Sequence, residues 1–192
     1  DPHADATTGL GAVASSSADA GSVLNGRVAR SGARAAAVPS AWIERENAAA
    51  RDTGRTSSAR LDVLPGSSSS SRLDRSTFRG KDLDRLSRAL EGLDTDYDLV
   101  LVDCPPNLSA LTRLAWAASD KVNKVAEDDP EHQHRVAELQ ELFGALLVSQ
   151  VIPDRPVWHR TQGAAWPIHR WPGADAADMA ARFTSILRGL LD

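Results

Sequence analysis

The chain is short of the residues that mark specialised architectures. Its 192 residues hold one cysteine, one methionine and one tyrosine, and aromatic residues make up only 5% of it. The lone Cys104 excludes an internal disulfide and suits a reducing cytosol. No apolar run is long enough to span a bilayer, and the sequence opens on charged DPHAD where a secretory signal would be apolar. Base does not exceed acid: 22 Lys and Arg stand against 26 Asp and Glu, for a net charge of −4. That balance excludes a surface coated in positive charge for nucleic acid, though it leaves room for a local basic patch. The phosphate-cradling pattern G-x-x-x-x-G-K-S/T occurs nowhere in the sequence. What remains is globular composition, 42% hydrophobic and 25% charged, with length for one domain and a real core.

The most organised stretch is Tyr97–Pro106, YDLVLVDCPP. Leu99 to Val102 is an unbroken apolar run, the pattern of a parallel strand buried on both faces. Pro105 and Pro106 cannot donate to a ladder and must end it. Asp103 is then expected at the carboxyl end of a central strand, where open α/β sheets bind ligands. Four apolar residues followed by aspartate is also the pattern in which a carboxylate helps hold Mg²⁺ beside a nucleoside triphosphate. With Cys104-Pro105-Pro106 behind it, the segment resembles the ParA/MinD group of deviant P-loop ATPases, and the ParA partition branch most closely.

The first eleven residues, DPHADATTGLG, are similar to the ParA stretch D-P-Q-x-N-x-T-x-G-L-G. Asp1, Pro2, Thr7 or Thr8, Gly9, Leu10 and Gly11 match; His3 stands for the usual glutamine and Asp5 for the usual asparagine. The resemblance implies that Asp1 orients the attacking water, that Asp103 holds Mg²⁺ through its water shell, and that Asn123, in an Asn-Lys pair, contacts adenine. It also exposes two departures. In ParA proteins a strand and the phosphate loop precede the DPQ stretch. A further strand and helix normally separate the A-A-x-D sequence (here Ala117 to Asp120) from the Asn-Lys pair, whereas here Asp120-Lys121-Val122 runs straight into Asn123-Lys124-Val125. The expectation is a single truncated ParA-like ATPase domain over residues 1–192, or a protein that has lost the site.

Elsewhere the sequence is less explicit. Residues 12–60 and 66–78 read as poorly ordered or variable loops, with helix-forming composition at Ala41–Ala50 and a serine run at Ser67–Ser71. Leu61–Leu64 and Ala145–Ile152 read as strands ended by proline. Leu83, Leu86, Leu90 and Leu93 predict a helix over Lys81–Leu93. Asn107 is a candidate cap for a helix from Leu108 to about Ala118. Another helix is expected after Pro130, with Val136, Leu139, Leu142 and Phe143 inside. The last runs from about Asp175 to Leu191, with Met179, Phe183, Ile186, Leu187 and Leu190 inside. Arg155, Arg160 and Arg170 lie among Trp158, Trp166 and Trp171. That grouping suits either phosphate pairing with base stacking or a loop whose tryptophans pack while its arginines stay wet.

Together these readings predict an α/β fold, a mainly parallel sheet flanked by helices, P-loop NTPase-like but incomplete. The resemblance implies an ATPase using ATP and Mg²⁺. It would act as a homodimer on nonspecific DNA, with a DNA-bound ParB-like stimulating protein, in the cytoplasm at the nucleoid and not at a membrane. The alternatives are a non-enzymatic remnant that binds DNA or protein, and a MinD-like ATPase positioning another cargo.

Overall fold

A computed structural model gives the fold. It describes residues 3–13, 18–26, 32–55, 59–76, 78–105, 109–123, 125–126, 134, 137–141, 144–164 and 166–191. The chain divides into two compact units, Asp1–Ala118 and Ser119–Asp192.

In the first unit, helix α1 (Asp5–Gly9) is followed by α2 (Ala20–Leu24), α3 (Gly32–Ala36), strand β1 (Val38–Pro39) and α4 (Ala41–Asp52). Strand β2 (Asp62–Val63) pairs antiparallel with β1, Val38 opposite Val63 and Pro39 opposite Asp62. Both valines are buried. Ser40 starts α4: its hydroxyl accepts from the Trp42 N–H at 3.1 Å and donates to the Leu10 carbonyl at 2.8 Å. A capping serine satisfies an otherwise orphaned N–H; this one also ties the chain behind α1 to the start of α4.

The main core of this unit gathers Leu73, Phe78, Leu86, Ala110, Leu111 and Leu114, with Leu83, Leu90 and Cys104 packed against it. Leu73 lies on α5 (Ser71–Asp74), Leu86 on α6 (Arg85–Leu90) and Leu114 on α7 (Ala110–Ala117). The leucine periodicity therefore marks a real core face, but the helix it predicted over Lys81–Leu93 is shorter. A 3₁₀ turn at Gly80–Asp82 precedes α6, and Gly92, at a left-handed φ of 82°, sits beyond it. Only glycine takes that conformation cheaply, so the helix stops there. Helix α7 is capped by Ser109, whose side chain accepts from the Thr112 N–H; the expected cap Asn107 lies outside the described residues.

The expectation for Leu99–Val102 is corrected. The run pairs with no strand among the described residues, and Val100, Leu101 and Val102 are 44%, 75% and 40% exposed. A strand buried on both faces needs a neighbour on each side, and β2, the nearest strand before it in sequence, is paired with β1.

In the second unit, β3 (Val125–Ala126) pairs parallel with β4 (Ile152–Pro153), and an isolated parallel bridge joins Val122 to Leu147. The long strand expected over Ala145–Ile152 is thus broken: a 3₁₀ turn covers Gly144–Leu146, and a bend at Ser149–Gln150 separates Leu147 from β4. Helix α8 (Pro156–Gly163) and the terminal helix α9 (Ala174–Leu191) enclose a core of Val157, Ala176 and Met179, with Trp158, Trp171 and Phe183 packed against it. Of the apolar stripe expected on α9, Met179 and Ile186 are buried and Phe183 and Leu190 half-buried, while Leu187 is 43% exposed and corrects the expectation there. Of the helix expected after Pro130, His134 and residues 137–141 are helical, while Val136, Leu142 and Phe143 lie outside the described residues. The fold is α/β and rich in helix, with two two-stranded sheets among the described residues.

Candidate functional site

Asp103 is exposed at the end of the unpaired Leu99–Val102 segment. Its surroundings are held from two sides. Behind it, Cys104 is half-buried against the Leu73–Leu114 core. Burial pushes the Cys104 thiol up, and the neighbouring Asp103 charge pushes it further the same way. A thiol so placed stays protonated and serves packing rather than nucleophilic chemistry. Beyond it, the Thr112 hydroxyl of α7 donates to the Pro105 carbonyl at 3.4 Å. Pro105, two residues after Asp103, is therefore tied to α7.

Ahead of the segment stands a polar lock that sequence reasoning missed. The Tyr97 hydroxyl donates to Asp62 Oδ2 at 2.6 Å, and Arg60 Nε donates to the same oxygen at 2.6 Å. Arg60 Nη2 also donates to the Tyr97 hydroxyl at 2.9 Å, and its guanidinium lies 4.8 Å from the ring centroid. Burial, and then the bond to the Asp62 carboxylate, raise the Tyr97 pKa, because both oppose a phenolate there. Nearby, Arg34 pairs with Asp96 at 2.9 Å. Apart from the Arg60–Asp62 pair, which is local, these contacts span 35 residues or more, so no local motif announces them; the lone tyrosine beside a run of aspartates is the one visible clue.

A second missed cluster surrounds Asp19. Its carboxylate accepts from the Ser22 N–H at 2.7 Å, from the Ser69 hydroxyl at 2.9 Å and from the Ser67 hydroxyl. Ser22 returns the contact, its hydroxyl accepting from the Asp19 N–H at 2.8 Å, which completes a capping box on α2. Burial raises the Asp19 pKa, but the hydrogen bonds from Ser67, Ser22 and Ser69 outweigh it and the net shift is downward. The serine run is thus a set of donors, folded as a 3₁₀ turn over Ser68–Ser70.

Of the other predicted residues, Asp1 lies outside the described residues. The rest of its segment is anchored: the Thr7 hydroxyl accepts from the Gly66 N–H at 2.9 Å, and Leu10 is held by Ser40. Asn123 belongs to the second unit and is half-buried directly after the Val122–Leu147 bridge. Arg155 precedes α8, Arg160 lies on it, and Arg170 ends the 3₁₀ turn Ile168–Arg170; all three are exposed. Two of the three tryptophans around them pack inward. Trp158 meets Phe183 with ring centroids 5.1 Å apart, Trp171 joins the same core, and Trp166 remains 47% exposed.

No group of three or more His, Cys, Asp or Glu forms a metal cage among the described residues. Magnesium is commonly held by one or two carboxylates while keeping several waters, and the exposed Asp103 suits that mode. The triphosphate is different: without G-x-x-x-x-G-K-S/T, the sequence lacks the loop whose backbone N–H groups and lysine would neutralise it.

Residues 1–131 match the model of an AAA domain family. A curated relative, "Sporulation initiation inhibitor protein Soj" of Bacillus subtilis (strain 168), is 53% identical over 38 residues, 20% of this chain and 15% of that protein. The match therefore spans well under two thirds of the relative's length.

Proposed function

The chain belongs to the AAA domain family, in its ParA/Soj-type branch, and from that premise we propose that it serves an Mg·ATP-dependent partition ATPase. In this reading both units are parts of one ATPase domain with a mainly parallel sheet, a feature in keeping with the parallel pairing of β3 with β4 and of Val122 with Leu147. The protein dimerises with ATP and binds DNA without sequence preference in the cytoplasm, at the nucleoid. A DNA-bound ParB-like partner stimulates hydrolysis and so releases it, segregating chromosome or plasmid DNA. Asp1 orients the water, Asp103 holds Mg²⁺ through its water shell, and Asn123 contacts adenine. Arg155, Arg160 and Arg170 supply contacts to DNA phosphates.

One observation carries the reading. Asp103 is exposed directly before Cys104, which packs on the core, and Pro105, which Thr112 holds, within the residues that match the family. The test is Mg²⁺-dependent ATP hydrolysis by the native protein taken from its own cell. Asp103→Ala should reduce turnover to background; unchanged turnover removes Asp103 from the role.

A second reading is a non-enzymatic module that binds DNA or protein, in keeping with the exposed Arg155, Arg160 and Arg170. A rise in melting temperature with Mg·ATP separates the two, since only a nucleotide-binding chain is stabilised by the ligand.

A further inference from the structure

Helix α2 ends on the chain's one Asn-Gly pair. Of the four asparagines, Asn47 is followed by alanine, Asn107 by leucine and Asn123 by lysine; Asn25 alone is followed by glycine. A side-chain amide is open to attack by the backbone nitrogen of the next residue, and a glycine there has no side chain to block the approach. The fold leaves the pair accessible. Asn25 and Gly26 are both exposed, and a Cβ placed on Gly26 would meet nothing within 4 Å.

Two hydrogen bonds hold the pair back from reaction. Asn25 Nδ2 donates to the Gly21 carbonyl at 2.9 Å, and the Gly26 N–H donates to the Val23 carbonyl at 3.0 Å. Both acceptors lie on α2, so the attacking nitrogen and the leaving amide are freed together when its last turn opens. That turn is weakly defended. Helix α2 has five residues, well below the length at which a helix stands alone, and Gly21 and Val23 are its buried positions. Helix ends fray at little cost in free energy.

We propose that Asn25 is a site of spontaneous covalent modification, deamidated through a cyclic imide with water as the only co-reactant. The Gly26 nitrogen bonds to Asn25 Cγ, and its proton departs with the side-chain nitrogen as ammonia. Water then opens the imide at one of its two carbonyls. Breaking the bond to the side-chain carbonyl leaves aspartate; breaking the bond to the main-chain carbonyl leaves isoaspartate. One water enters, one ammonia leaves, and nothing is oxidised or reduced. The product undoes the end of α2. A carboxylate has no donor for the Gly21 carbonyl and places negative charge at the negative end of the helix. Isoaspartate also reroutes the main chain through the side-chain carbons and shifts Gly26 away from Val23. Because Val23 is buried with Ala33 and Ala36, the loosening reaches that core. This chemistry needs neither nucleotide nor DNA and stands apart from the ATPase reading.

The experiment ages the full chain in neutral buffer and follows each asparagine by peptide mapping. Deamidation raises the mass of a peptide by about one dalton. Isoaspartate is scored separately by enzymatic methyl transfer from S-adenosylmethionine. Asn25 should convert about tenfold faster or more than Asn47, Asn107 and Asn123 in the same sample, with isoaspartate among its products. Gly26→Ala should bring its rate down to theirs. Conversion of Asn25 no faster than that of the other three overturns the proposal, as does an unchanged rate in Gly26→Ala. Asn25→Asp reproduces one product and should lower the melting temperature by about 2–4 °C through the lost hydrogen bond. An unmoved melting temperature overturns the link from the modification to α2.

Discussion

Tyr97 is the only tyrosine, so its ionisation can be followed alone by absorbance in alkaline titration. Its phenol is raised by burial and by the Asp62 carboxylate, and a raised pKa means the folded state favours the protonated form. The stabilisation is present below the ordinary tyrosine value and is lost as pH rises through the folded value. Asp62→Asn should therefore move the Tyr97 titration down toward the value of a free phenol; an unmoved titration would show that burial alone sets it. Asp19 carries the opposite sign. Its lowered pKa stabilises above the ordinary carboxylate value and the benefit is lost as pH falls through the folded one. Asp19→Ala removes an N-cap and the acceptor for three serine groups, and should cost about 1–2 kcal/mol in urea denaturation at neutral pH, with a smaller difference in acid. Gly21 sharpens the same neighbourhood. Alanine inside a helix normally gains about 1 kcal/mol over glycine. Here a Cβ on Gly21 would meet the Ser70 backbone nitrogen at 2.9 Å, so Gly21→Ala should destabilise instead. Neither cluster is legible in sequence, because Asp19 and Ser67 lie 48 residues apart and Asp62 and Tyr97 lie 35 apart. Serine repetition looks like linker until the acceptor beside it is known.

At the scale of elements, periodicity was the most readable signal and chain pairing the least. The stripes through Leu86, Leu114 and Met179 mark buried faces, because a helix's apolar spacing is a local property. The Leu99–Val102 run carries an equally clear apolar signal, but a strand's burial depends on neighbours that the run itself does not encode. Asp103 stands out in the sequence only by its place after the apolar run, while the contacts of Cys104, Thr112 and Tyr97 around it needed the fold. Helix α7 connects these features, since it forms the core wall and its Thr112 holds the Pro105 carbonyl. Leu114 is 1% exposed there, and Leu114→Ala should cost about 2–5 kcal/mol through lost burial and the cavity left behind. Ser109→Ala should cost about 1 kcal/mol through loss of the cap. Chemical denaturation checks both; a cost for Leu114→Ala below that of Ser109→Ala would mean the core collapses around the gap.

For the whole molecule, charge decides how DNA could be held. With a net charge of −4 and a pI near 5.7, the chain as a whole is repelled by a polyanion at neutral pH. Any affinity must come from a local patch strong enough to overcome that field. Arg155, Arg160 and Arg170 are exposed around one small core, with Trp158 and Trp171 packed inward and Trp166 the most open ring of the group. In the proposed DNA-binding role, phosphate pairing rather than base stacking by several rings is the expected source of affinity. Counterion release sets the consequence: if three arginines each neutralise one phosphate, the logarithm of affinity for duplex DNA falls against the logarithm of salt with a slope of about −3. Replacing all three by alanine should flatten the slope toward zero and weaken binding at low salt across unrelated sequences alike. A Trp166→Ala variant should leave the slope unchanged, because the ring carries no charge. A steep slope that survives the triple replacement would place the DNA contact elsewhere on the chain. A loss confined to particular sequences would replace backbone pairing with base readout.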